Sequence, residues 1–198
     1  MKIRTARRTL AVLALGAGIA SPLALAGAAN AATITSAAPT ASALVAAGTL
    51  SFVSAPGSIT FPGLALTGTN QTTSATLPID VGDNTGSGAG WNVTATSTQF
   101  SNGTNTLPDG SVTVNPAPTL ACDNLSACTL AVESNTISYP YTLPEGTTAP
   151  TATKIFDATA GTGMGNQTFS PTFTLAVPAG SYSGTYTSTV TFSLVSAP

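Results

Sequence analysis

The chain has no histidine, only two cysteines, and charged side chains at 6% of its 198 positions. Without histidine the commonest general base is gone, and Ser-His-Asp or Cys-His catalytic sites are excluded. No second cysteine pair completes a tetrahedral zinc set. Ser-Lys chemistry would have to use Lys154, and "TATKIFD" offers it no neighbouring serine. Aromatic residues, also 6% of the chain, are too few for the lined cleft of a typical glycosidase. The reading is a protein that is not an enzyme and needs no cofactor. Cations are scarcer than anions. Of five basic residues, Lys2, Arg4, Arg7 and Arg8 sit at the very start, and only Lys154 follows. One cation cannot neutralise a row of phosphates or an anionic lipid surface, so nucleic-acid and anionic-membrane binding are excluded.

What is present opens with an export signal. "MKIRTARRTL" is a basic head, "LAVLALGAGIA" an apolar middle, and "SPLALAGAANAA" a small-residue end. That order describes a secretory signal peptide, with cleavage expected after Ala31. The apolar middle is short and broken by Gly16, Gly18 and Pro22, so no retained membrane span is expected. Removing 31 of 198 residues leaves 167, enough for one domain with a core. In that mature chain one lysine stands against seven acids, a net charge of −6. Residues 32–47 read as a flexible N-terminal segment and 48–198 as the folded domain.

Low charge here does not mean disorder, because apolar residues are plentiful. Hydroxyl-rich, β-branched sequence punctuated by Gly and Pro points to an all-β extracellular module. "TLSFVSA", "GSITFPG", "ATLPIDV", "WNVTATS" and "GSVTVN" are short alternating runs. The proline-rich stretch 116–150 predicts short or edge strands. Cys122 and Cys128, in "CDNLSAC", are expected to form a disulfide, since an exported chain meets oxidising conditions. The loop is small, so the bridge contributes about 2–3 kcal/mol at best.

The last thirty residues alternate most clearly. Phe169, Pro171, Phe173, Leu175 and Val177 share one parity, and Tyr186, Val190, Phe192 and Leu194 another. Period two marks strands with one buried face. "PAGS" between the runs predicts a hairpin. The expected architecture is a single β-sandwich of about eight to ten mostly antiparallel strands. The threonines on the opposite parity, Thr185, Thr187, Thr189 and Thr191, form either a solvated face or a sugar-facing hydroxyl row.

Two features invite a functional reading. In "DVGDNTGSGAGWNVTAT", Asp80 and Asp83 flank a glycine-rich turn, as in a weak calcium loop, although the spacing and closing glutamate of an EF-hand are missing. The turn delivers Trp91, the only tryptophan. A same-face pair such as Trp91 and Val93 on a strand is usually core. The alternative is an exposed indole offered to a sugar.

The same stretch resembles the first block of the WxL domain, a surface module of Gram-positive bacteria, with Trp91 matching and Val93 in place of leucine. Thr85 stands where that turn usually has arginine. "YTSTVTFSLVSAP" resembles the second block. Tyr186, Leu194 and Pro198 match, Val190 replaces leucine, and Phe192 replaces a tryptophan. The resemblance implies a secreted protein held non-covalently at the cell wall, binding peptidoglycan or another wall glycan and assembling with other WxL-type surface proteins. It marks Trp91, Val93, Tyr186, Phe192 and Leu194 as motif positions that bind or pack. A structural subunit that self-assembles through sheet edges is the other functional reading.

Overall fold

The computed structural model describes residues 40–123, 128–134 and 136–197. The expected signal peptide, residues 1–31, lies outside them, as does Pro198. Among the described residues there are twelve strands and no helix. All of the strands fall within the unit Leu44–Pro198.

The strands form three sheets. The first runs β1 (Leu50–Phe52), β3 (Ile79–Asp83), β10 (Gly165–Ser170) and β6 (Thr119–Cys122) in spatial order. The second runs β2 (Gln71–Thr76), β11 (Thr172–Val177), β5 (Val112–Val114) and β7 (Tyr141–Thr142). The third is built on β4 (Trp91–Thr98), with β12 (Val190–Ser196) on one side and β8 (Glu145–Gly146) and β9 (Thr153–Ala158) on the other. Every pairing is antiparallel except β4 with β8. The all-β, mostly antiparallel sandwich-like class follows from the alternating runs. The count exceeds ten because two-residue strands such as β7 and β8 leave no periodic trace. Strands of the 116–150 region are short and lie at sheet margins, as their prolines require.

Two expectations are corrected. "GSITFPG" is not a strand; it runs outside the sheets, with Ile59 and Phe61 packed on the core. The C-terminal hairpin does not form either. β11 pairs with β2 and β5, whereas β12 pairs with β4 in a different sheet. Alternation fixes which face is buried but not which strand lies alongside. The run 169–177 is also two strands. Phe169, Pro171, Phe173 and Leu175 all point inward, yet β10 belongs to the first sheet and β11 to the second. Pro171, which has no N–H to give a ladder, stands at the corner where the chain changes sheets. Its carbonyl accepts from Leu77 N at 3.0 Å.

The core gathers where the sheets face one another. Phe156 and Phe169 stack at 5.2 Å, and Trp91 tilts against both at 5.7 and 6.5 Å. Phe173 meets Phe192 edge-on at 6.1 Å, and Phe61 meets Phe100 likewise at 6.0 Å. These offset geometries suit ring quadrupoles.

Candidate functional site

The turn before Trp91 is built from side-chain hydroxyls. Asp83 Oδ1 accepts from Thr85 N at 3.1 Å and from Thr85 Oγ1 at 2.7 Å. Ser87 N donates to Thr85 Oγ1, and Ala89 N to Ser87 Oγ, both at 3.2 Å. Such local bonds are why Asp, Ser and Thr favour turns. Asp80 and Asp83 lie three apart on β3, so they face opposite sides of the sheet. Asp80 serves Ser54 and Thr168 instead, at 3.0 and 2.7 Å. The two carboxylates therefore do not converge. Among the described residues no group of three His, Cys, Asp or Glu could hold a metal.

Gly90 ends the turn at φ 77°. A Cβ there would lie 2.2 Å from the Ala158 carbonyl oxygen, so the close approach of turn to β9 needs glycine. The chain then enters β4 with the indole inward. Trp91 is 0% exposed, and its Nε1–H donates to the Gly163 carbonyl at 2.9 Å. Val93 is buried beside it.

The two motif blocks lie side by side. In the β4–β12 ladder Trp91 faces Ser196, Val93 faces Leu194, and Ala95 faces Phe192. Directly opposed residues in an antiparallel pair share a face. The face is deeply buried on β4, which has neighbours on both sides, and half-buried on β12, which lies at the margin. Phe192 and Leu194 pack on the core yet keep some exposure.

That half-buried margin opens into a groove of about 850 Å³. One wall is the segment 56–66, and the other is the loop 182–188. Val190 and Phe192 line it, with Phe100, Leu107 and Val112 beneath. Tyr186 belongs to the second wall, and its Oη donates to the Tyr182 carbonyl at 3.0 Å. Thr185 and Thr187 also face the groove, whereas Thr189 and Thr191 are exposed elsewhere on the surface. No lining residue carries a charge. Glu145 lies below: its carboxylate accepts from Phe100 N at 3.2 Å and from Ser111 N at 2.9 Å, fixing the backbone beside two floor positions. Leu143, two residues before Glu145 in "LPEGT", is buried in the core.

A second polar cluster surrounds Tyr139, whose hydroxyl lies 2.7 Å from Glu133 Oε1 and 2.8 Å from the Ile155 carbonyl. Burial pushes the Glu133 carboxyl above its ordinary value; the Tyr139 bond opposes this and the nearby Asp157 charge adds to it. Burial first, then the Glu133 partner, raises the Tyr139 phenol and keeps it protonated. Asp157 is 1% exposed and is held by Ser134 N at 2.8 Å and Ser134 Oγ at 2.6 Å. Lys154 Nζ reaches it only at 4.0 Å. Cys122 and Cys128 are joined as expected, with Cα atoms 5.7 Å apart, at the end of β6.

A family model described as WxL domain surface cell wall-binding matches residues 29–198. The chain belongs to the WxL family. No curated protein and no solved structure matches it. As a WxL-family chain it is a cell-surface protein associated with the wall. Among the described residues no helix is long and apolar enough to cross a membrane. In this WxL domain Trp91 and Val93 of the first motif block are interior, and Tyr186 and Phe192 of the second line a groove. Sequence reading took "GSITFPG", within 56–66, for a strand and did not single out Tyr182. The only local signal for Tyr182 was an aromatic residue set among turn residues in "AGSYSG".

Proposed function

We propose that this WxL chain is a non-catalytic attachment module on the outer face of a Gram-positive cell. It holds peptidoglycan non-covalently through the groove between 56–66 and 182–188, and it assembles there with other WxL-type surface proteins. The observation that carries the reading is the division of the motif. Trp91 and Val93 are closed off from solvent, while Tyr186, Val190 and Phe192 line the one concavity described above. Concave, mostly apolar sites with a few polar groups are where ligands usually bind. Trp91 then acts as scaffold, not as a sugar platform. Co-sedimentation with purified sacculi tests the reading. The folded chain is expected in the wall pellet, and folded protein left in the supernatant would contradict it.

Self-assembly is a second reading, favoured by β12. This strand ends its sheet and contains neither a charge nor a proline along "VTFSLVS". Those are the usual guards against edge pairing. Sedimentation velocity would show growth with concentration if edges pair, and a single species if they do not.

A further inference from the structure

We infer that the groove selects the sugar backbone of the wall polymer and not its stem peptides, with the ring of Tyr182 as the stacking platform. The inference rests on the wall-binding reading above and narrows it to one component of the wall. The first support is charge. Stem peptides carry free carboxylates and amines, whereas the N-acetylated sugar backbone is largely neutral. A groove with no ionised side chain offers a buried charge no partner, and leaving one unpaired is costly. It exacts no such penalty from hydroxyl and acetamido groups.

The second support is the pairing of rings with hydroxyls. Tyr182 is 68% exposed, the only aromatic ring among the exposed large hydrophobics of the described residues. A flat amphipathic ring can cover the C–H face of a sugar while its hydroxyl stays wet. Ser58, Thr60, Ser183 and Thr185 line the same groove. Each hydroxyl donates one bond and accepts two, which suits an oligosaccharide rim better than a hydrocarbon ligand. The volume falls within the usual range for ligand clefts, roughly 300–1,000 Å³.

The third support is fixity. Besides the Tyr186 bond to the Tyr182 carbonyl, Thr187 and Ser101 exchange two backbone bonds of 2.9 and 3.0 Å. On the opposite wall Thr73 Oγ1 holds the Pro62 carbonyl at 2.9 Å. Walls held before the ligand arrives lose less entropy on binding, which matters for a weakly interacting neutral ligand.

The test titrates the purified full chain with a tetramer of N-acetylglucosamine and, separately, with free stem peptide, following backbone amide resonances. The tetramer is expected to shift residues of 56–66 and 182–188, and the peptide to shift neither. Tyr182→Ala is expected to weaken tetramer binding at least about tenfold, as losing a central aromatic anchor does. The exposed ring makes that variant safe for the fold, and the Tyr186 bond to the backbone carbonyl survives it. Shifts elsewhere, peptide binding in the groove, or unchanged binding by Tyr182→Ala would overturn the inference. Sacculus co-sedimentation of the same samples separates the two claims. Pelleting without tetramer binding sinks the sugar inference alone, and no pelleting sinks the wall reading itself.

Discussion

Trp91 and Gly163 form a lock in which each residue requires the other. A Cβ on Gly163 would sit 2.6 Å from Trp91 Nε1, and the glycine's φ of 75° disfavours any side chain. Gly163→Ala is therefore expected to lower the denaturant midpoint even though it adds only a methyl group. Trp91→Phe leaves the Gly163 carbonyl without its donor and a void beside Phe156. An unpaired buried acceptor costs about 1–3 kcal/mol. Trp91→Ala is expected to cost about 3–5 kcal/mol, the range for large aromatic truncations. Urea unfolding checks all three. Glu133 gives a pH-dependent prediction. Its folded-state pKa lies above the ordinary value of 4.5, so the folded state binds that proton more tightly than the unfolded chain. Its contribution to stability is fully present below 4.5 and is lost as pH rises through the raised value. Glu133→Gln keeps an acceptor for Tyr139 and removes the titration. It is expected to flatten the decline in melting temperature across that window; an unchanged decline would place the titrating group elsewhere.

β11 shows what alternation can and cannot reveal. Phe173 is 0% exposed against Phe192, while its neighbour Thr174 faces outward and meets Ser74 Oγ at 2.9 Å. Phe173→Ala is expected to cost about 3–5 kcal/mol, and Thr174→Val to stay within about 0.5 kcal/mol. Comparable losses at both sites would mean that the outer face is not solvated. The inward parity of Phe169, Phe173 and Leu175 was legible because a sheet with one dry face must repeat every second residue. The partners were not, since β2 lies about a hundred residues away in sequence from β11, as the Ser74–Thr174 bond records, and no local rule reaches that far. β9 escaped notice as well. "TKIFDA" is buried at four successive positions, Ile155 to Ala158, so its period is hidden. The groove was the least legible part. Its walls are irregular segments whose course is set by bonds such as Thr73 to Pro62, and exposure of a tyrosine is a tertiary property.

At the scale of the whole molecule, the proposed function assigns burial and recognition to different motif residues. Trp91 and Val93 lie on the central strand β4, where they help hold the sheets together. Tyr186 and Phe192 lie on or beside the marginal strand β12, where the core reaches the surface. A chain with one cation beyond its first eight residues has little long-range attraction for an anionic wall, so short-range stacking and hydrogen bonding have to supply the hold. Wall binding is accordingly expected to change little between low and moderate salt. A steep fall in co-sedimentation with added salt would point to an ionic mode that the neutral groove cannot provide. The most direct measurement compares sacculus co-sedimentation of Tyr182→Ala and Trp91→Phe under conditions where circular dichroism shows both folded. The account predicts that Trp91→Phe pellets with the wall like the parent chain while Tyr182→Ala stays largely in solution. Loss of binding in the tryptophan variant with full retention in the tyrosine variant would contradict it.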